Sequence, residues 1–170
     1  YFFRMITILA DENIYRLEEF IPANCRLLTY DPQNGFPENV NPIDALLVRT
    51  VTPVTQKTLS DLPQTIQYVA TASSGSDHLD KDFLKDQDIN FGDAKGCNAR
   101  SVAEYIATCL LLWQEMTGIK LSGRSIGIVG VGHVGREVEK IARRLDMDPI
   151  GYDPPREKRD STFHSASLGE

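Results

Sequence analysis

The 170-residue chain has 41% hydrophobic and 25% charged residues, the balance of an ordinary soluble globular protein with enough apolar material for a sizeable core. Its net charge of −6 repels nucleic acid and acidic membrane surfaces, which excludes both as default partners. Three widely spaced cysteines, Cys25, Cys97 and Cys109, form neither a disulfide framework nor a zinc-ligand spacing, so no metal is expected and reduced thiols in the cytoplasm are the default.

The first residues, Tyr1 to Arg4, are too short for a signal peptide, and Met5 reads as a natural start. Ile6 to Ala10 is an apolar run of strand length. Asp11-Glu12-Asn13 supplies turn and cap chemistry, and Ile14 to Ile21 reads as a short helix stopped by Pro22. Strands follow at Arg26 to Tyr30, Ala45 to Arg49, Ile66 to Thr71 and Ile89 to Phe91. Helices are expected at Thr55 to Leu62 and Leu79 to Lys85, and the Pro-, Asn- and Gly-bearing stretch from Asp31 to Pro42 is a loop. Short, continuously apolar strands alternating with helices predict a parallel sheet covered on both faces.

Asn98 is placed to cap a long helix running to about Met116. Its apolar residues, among them Val102, Ile106, Leu110, Leu111, Leu112 and Trp113, cover most of its surface and predict burial between two layers or two domains. A domain boundary is expected here, with residues 1–96 forming the first domain and 97–170 the second. The polar tail from Lys158 to Glu170 is expected to be loosely ordered.

The second domain carries the motif. The strand Ser125 to Val129 runs into Gly130-Val131-Gly132-His133-Val134-Gly135, a helix follows to Leu145, and a second strand from Pro149 ends at Asp153. A lone G-x-G-x-x-G says little, but strand, glycine loop, helix, strand and terminal acid together form a dinucleotide-binding fingerprint. Gly130 allows the tight turn, Gly132 admits a pyrophosphate close to the backbone, and Gly135 lets helix and strand meet. The backbone of His133 and Val134 at the helix N-terminus offers N–H groups to the anion. Asp153 is placed to accept from the adenosine ribose hydroxyls and to disfavour a 2′-phosphate, which selects NAD over NADP; Arg156 nearby is discounted. The alternatives are a plain glycine turn without a dinucleotide, or a site for S-adenosylmethionine or FAD. The position of the motif behind a long helix argues against FAD.

Several segments resemble the D-2-hydroxyacid dehydrogenase family: Ala45-Leu46-Leu47-Val48-Arg49-Thr50-Val51-Thr52, Thr71 to Asp80, Gly96-Cys97-Asn98-Ala99-Arg100-Ser101-Val102-Ala103-Glu104-Tyr105, the glycine loop, and Tyr152-Asp153-Pro154-Pro155-Arg156. Ser73 and Ser76 replace threonines of the family pattern and keep the hydroxyl, and Lys95 stands where a proline is usual. The resemblance implies a flavodoxin-like substrate domain with a parallel sheet, followed by the first part of a Rossmann NAD-binding domain. It also implies NAD-dependent oxidation of a small phosphorylated 2-hydroxy acid by a homodimer. The implied substrate-contacting residues are Thr50 and Ser73, with Ser74 and Gly75 offering backbone N–H groups and Arg49 a cation for phosphate. The family's catalytic Arg, Glu and His match no position here, so no catalytic residue is assigned to His78, His133 or His164. A complete doubly wound domain has roughly six strands against the two expected here. The 170 residues alone are therefore expected to lack turnover. A different class of reading, a non-catalytic NAD-sensing module, shares all these features.

Overall fold

In the computed structural model, residues 4–169 are described; Tyr1 to Phe3, part of the segment read above as preceding the start, and Glu170 lie outside the described residues. The chain divides into two compact units, Tyr1–Lys95 and Gly96–Glu170.

The first unit is built on five parallel strands: β1 (Ile6–Asp11), β2 (Cys25–Tyr30), β3 (Ala45–Val48), β4 (Tyr68–Thr71) and β5 (Asn90–Asp93). Their spatial order is β2-β1-β3-β4-β5, the flavodoxin-like arrangement, in which the chain changes direction between β1 and β3. Leu9, Leu46, Val48 and Val69 from the strands are fully buried with Ile43, Val54 and Leu84, and this shared apolar set is why the strands read as continuous hydrophobic runs. Two short helices join the strands, α1 (Gln56–Ser60) and α2 (Lys81–Asp86). Thr55 caps α1 in a reciprocal box with Thr58, and Asp80 caps α2 by accepting from the Phe83 amide.

The helix expected at 14–21 is reduced to a single 3-10 turn, Leu17–Phe20. Arg16 takes a left-handed conformation (φ 55°), which interrupts any right-handed helix running through it.

The second unit contains α3 (Ala99–Thr117), the parallel pair β6 (Ser125–Val129) and β7 (Asp148–Tyr152), α4 (His133–Arg144) between them, and the short α5 (Pro154–Glu157). Three expectations change. Asn98 stands at the N-cap position of α3 but its side chain makes no capping hydrogen bond. The helix is not buried between layers: only Ala99 and Ala103 are buried, while Tyr105 is 70% and Met116 85% exposed, with Leu111, Leu112 and Trp113 also exposed. Within its own unit α3 packs along α4 through Ala103, with Ile106 and Leu110 beside it. The tail beyond Lys158 is tied down rather than loose. Phe163 joins the Ala103, Ile128, Val131 and Val138 cluster, the Ala166 amide donates to the Gly151 carbonyl, and the Asp153 amide donates to the Ser165 hydroxyl.

Candidate functional site

Parallel strands end together, so the groups that follow them gather along one edge of the sheet. This carboxyl edge is where α/β sheets bind ligands, at the point where the strand order reverses. In the first unit the register aligns Val48 of β3 with Thr71 of β4. Thr50 and Ser73 each stand two residues beyond that aligned pair and therefore leave adjacent strands at the same level. Neither hydroxyl has a hydrogen-bond partner among the described residues, nor does that of Ser74, and the Ser74 and Gly75 amides are equally unpaired. Such a loop can receive a carboxylate or phosphate from both its hydroxyls and its backbone.

Arg49, the cation expected at this edge, is held. Its Nε donates to Oδ2 of Asp11 at 2.9 Å. Asp11 closes β1 and is fully buried; its Oδ1 accepts from the Asn13 amide at 2.8 Å and from Asn13 Nδ2 at 3.2 Å. The terminal nitrogens of Arg49 have no partner among the described residues, and the side chain is 34% exposed. The guanidinium is thus anchored by one nitrogen, with its other donors left for an anion. From its sequence neighbours Asp11 supplies turn chemistry only. That part is present in its contact with Asn13, but the long-range pairing with Arg49 has no local signal. Nearby, the Tyr30 hydroxyl bonds Thr52 Oγ1 at 3.1 Å; burial pushes its pKa up, with Asp11 adding to the rise and Thr52 and Arg49 opposing it.

Two further contacts stiffen the Ser73–Ser76 loop. Ser76 Oγ donates to Asp93 Oδ2 at 3.0 Å, and this hydrogen bond is the main reason the Asp93 carboxyl is held below its ordinary range. His78 Nε2 lies 2.9 Å from Thr71 Oγ1, which ties the segment after the loop to the end of β4. Burial lowers the His78 pKa, with Asp77 opposing, so the folded protein favours the neutral ring. Its contribution to stability is present above the unfolded imidazole value and is lost as the pH falls through the lowered folded value. An NMR titration is expected to show His78 protonating below the ordinary imidazole range; a value at or above that range would remove the burial argument.

In the second unit the glycine loop has a different job at each position. Gly130 has φ +86°, which only glycine adopts freely. Gly135 is fixed by contact: a Cβ there would collide with the Gly130 carbonyl oxygen and press on Ile128 Cγ2 at 3.3 Å. Gly132 precedes α4, and a Cβ added there would meet only open space. The amides of His133, Val134 and Gly135 have no hydrogen-bond partner among the described residues, and no side chain caps the helix. Three free donors at the positive end of a 12-residue helix, beside an open glycine, fit a pyrophosphate. The imidazole of His133 is turned toward Gly96, whose added Cβ would come within 2.8 Å of Nδ1, so His133 offers its backbone to the loop.

Asp153 follows β7 and caps α5 with both carboxylate oxygens engaged: Oδ2 accepts from the Val131 amide and Oδ1 from the Arg156 amide, each at 2.9 Å. Each oxygen keeps a further lone pair for a ligand hydroxyl. Arg156, expected near Asp153 and discounted, is engaged elsewhere. It pairs with Asp160, reaches the Val131 carbonyl and stacks on Phe163. Among the described residues no three acidic, histidine or cysteine side chains are grouped to hold a metal, and no helix is long and apolar enough to cross a membrane.

Residues 6–165, which take in both sheets and the glycine loop, match the family model for the D-isomer specific 2-hydroxyacid dehydrogenase catalytic domain. The chain is 41% identical over 152 residues to an erythronate-4-phosphate dehydrogenase of Marinobacter nauticus, covering 89% of this chain and 39% of that protein. It is 37% identical over 162 residues to one of Bacteroides fragilis, covering 95% and 46%. The chain thus spans less than half the length of these relatives. Its fold is shared with a D-lactate dehydrogenase of Aquifex aeolicus (TM-score 0.66, 19% identity, 87% of this chain and 51% of that one). The same holds for an NAD-dependent formate dehydrogenase of Staphylococcus aureus (TM-score 0.66, 20% identity, 96% and 61%). With the match running through every strand described above, the chain belongs to the D-isomer specific 2-hydroxyacid dehydrogenases.

Proposed function

We propose that the protein to which this chain belongs is an NAD-dependent erythronate-4-phosphate dehydrogenase. It would oxidise 4-phospho-D-erythronate to (R)-3-hydroxy-2-oxo-4-phosphonooxybutanoate in pyridoxal 5′-phosphate (vitamin B6) biosynthesis, as a cytoplasmic homodimer. The observation that carries this reading is the row of unpaired donors at one sheet edge: the hydroxyls of Thr50, Ser73 and Ser74, the Ser74 and Gly75 amides, and the terminal nitrogens of Arg49. That set suits a small substrate with a carboxylate and a phosphate. The names of the Marinobacter and Bacteroides relatives support the same substrate.

In this reading Gly130, Gly132 and the amides of His133, Val134 and Gly135 hold the cofactor pyrophosphate, and Asp153 accepts from the adenosine ribose. Bound NAD supplies the hydride acceptor. The chain's own residues bind and orient: Thr50, Ser73 and the Ser74-Gly75 amides fix one acidic group, and Arg49 takes the other through its fork. Loss of the substrate hydroxyl proton requires a base, and no residue of this chain is assigned that role.

The test is turnover by the full-length protein with NAD and 4-phosphoerythronate. A hydrogen bond to a charged group is worth about 1.5–3 kcal/mol. At about 1.4 kcal/mol per decade, Thr50→Val and Ser73→Ala are each expected to raise KM roughly 10- to 100-fold. Turnover of 3-phosphoglycerate in its place would reassign the substrate within the family. NAD binding without oxidation of either acid would make the protein a sensor.

A further inference from the structure

An arginine just after the acidic end of the second strand is what a doubly wound domain uses to accommodate the 2′-phosphate of NADP. This chain has such an arginine. Arg156 is one turn beyond Asp153, and its own amide is bonded to the Asp153 carboxylate. Released, its guanidinium lies within one side-chain length of the place where a ribose would meet that carboxylate.

The side chain is not released. Asp160 Oδ2 accepts from Nε at 3.2 Å and from Nη2 at 3.1 Å. Nη1 reaches the carbonyl oxygen of Val131 at 3.4 Å, and the guanidinium carbon sits 4.1 Å from the centre of the Phe163 ring. Arg156 is left only 18% exposed. Asp160 is itself fixed, because Oδ1 accepts from the Thr162 hydroxyl at 2.6 Å and the Thr162 amide at 3.2 Å. These bonds, followed by the one from Arg156, hold its carboxyl below the ordinary range and keep it charged at neutral pH. The same Val131 donates its amide to Asp153. Ribose acceptor, glycine loop and tied arginine therefore form one connected cluster.

We propose that Asp160 and Phe163 determine cofactor specificity by holding Arg156 away from the 2′ position of the adenosine ribose. The protein then discriminates against NADP twice: Asp153 repels the phosphate, and the cation that would attract it is committed elsewhere. This rests on the NAD reading above and adds to it a second pair of residues, in the segment after the strand. The cluster also braces the Val131 carbonyl, so freeing Arg156 loosens the glycine loop and weakens NAD binding modestly.

The experiment is direct binding of NADH and of NADPH to the full-length protein by nucleotide fluorescence. It compares the native protein with Asp160→Ala, Phe163→Leu and the double variant Arg156→Ala/Asp160→Ala. Melting temperatures are recorded for each. Asp160→Ala is expected to shift the NADPH-to-NADH affinity ratio at least tenfold toward NADPH, Phe163→Leu by less, and the double variant is expected to return the ratio to the native value. Should Asp160→Ala fail to fold, Asp160→Asn carries the same test, because it removes the charge that holds Arg156 while keeping the side-chain volume and an acceptor for Thr162. Native binding of NADH with a ratio unmoved in the folded single variants overturns this proposal alone. A shift that persists in the double variant also overturns it, since the released cation would then not be its cause. A protein that binds neither nucleotide removes the NAD reading and this proposal with it.

Discussion

Gly135→Ala is expected to lower both stability and NADH affinity, whereas Gly132→Ala lowers only affinity. The two glycines sit three residues apart in the same loop, and their surroundings are opposite. A Cβ at Gly135 collides with the carbonyl oxygen of Gly130 and also meets Gly130 C at 3.1 Å, so the partner that must yield is backbone. Alanine in a helix gains about 1 kcal/mol over glycine, but forcing a methyl into a closed contact costs typically 1–3 kcal/mol. Because the backbone here belongs to a tight turn with φ +86° at Gly130, the upper part of that range applies and the collision wins. The displaced turn also misaligns the three free amides of α4, so at least a tenfold loss of NADH affinity accompanies the loss of stability. At Gly132 the φ of −79° suits alanine and no protein atom lies within 4 Å of the added carbon. The melting temperature therefore stays within about 1 °C of native, since a 1 kcal/mol change moves Tm by only 2–8 °C and no contact is broken. The new methyl instead occupies the space proposed for the pyrophosphate. Thermal melts and fluorescence titrations of the two variants check the pair. Full NADH affinity in Gly132→Ala would show that no phosphate approaches that position.

What was legible in the sequence depended on how local its cause is. The strands of the first unit were readable from their apolar centres, most plainly in β1 and β3, although β2, β4 and β5 also carry exposed positions at Arg26, Thr29, Tyr68, Asn90 and Asp93. The glycine loop was readable because two of its glycines answer to local causes, the positive φ of Gly130 and the contact of Gly135 with the Gly130 backbone. The helix expected at 14–21 was not, because the left-handed turn at Arg16 breaks a pattern that its apolar spacing suggested. The fate of α3 was misread for another reason. An apolar surface reports that something is to be covered, and within this unit only the side bearing Ala99, Ala103, Ile106 and Leu110 is packed. Lys158 to Gly169 looked polar enough to be loose, yet Phe163 enters the apolar cluster and Ser165 and Ala166 bond around β7. The i,i+4 spacing of Arg156 and Asp160 was present in the sequence as a signal of pairing. Its stacking on Phe163 and reach to Val131 were not.

Arg49→Ala is expected to destabilise the first unit by about 3–5 kcal/mol, the range for removing one partner of a buried pair, and Asp11→Ala by clearly less. The asymmetry follows from exposure. Asp11 is wholly buried at the point where β1 and β3 part, and among the described residues Arg49 is the one cation paired with its carboxylate, with the Asn13 donors adding hydrogen bonds but no charge. Removing Arg49 strands a negative charge where water does not reach. Removing Asp11 leaves a guanidinium that is already 34% exposed and can turn to solvent. Because Arg49 is partly hydrated, the lower end of the range is the better figure for Arg49→Ala. Both variants are expected to lose binding of the phosphorylated acid, by different routes: Arg49→Ala lacks the fork, while Asp11→Ala keeps the fork but lets it wander. Conservative changes separate these from simple unfolding. Asp11→Asn retains an acceptor for Nε and the approximate geometry, so it should raise KM for a phosphorylated 2-hydroxy acid more than for the unphosphorylated one, with the KM for NAD unchanged. Arg49→Lys keeps the charge but loses the fork and should do the same more strongly. Denaturant melts of the alanine variants and these paired KM values check the argument. If Asp11→Ala proves as destabilising as Arg49→Ala, the stranded carboxylate is not the dominant cost, and the pair works chiefly by closing the end of β1.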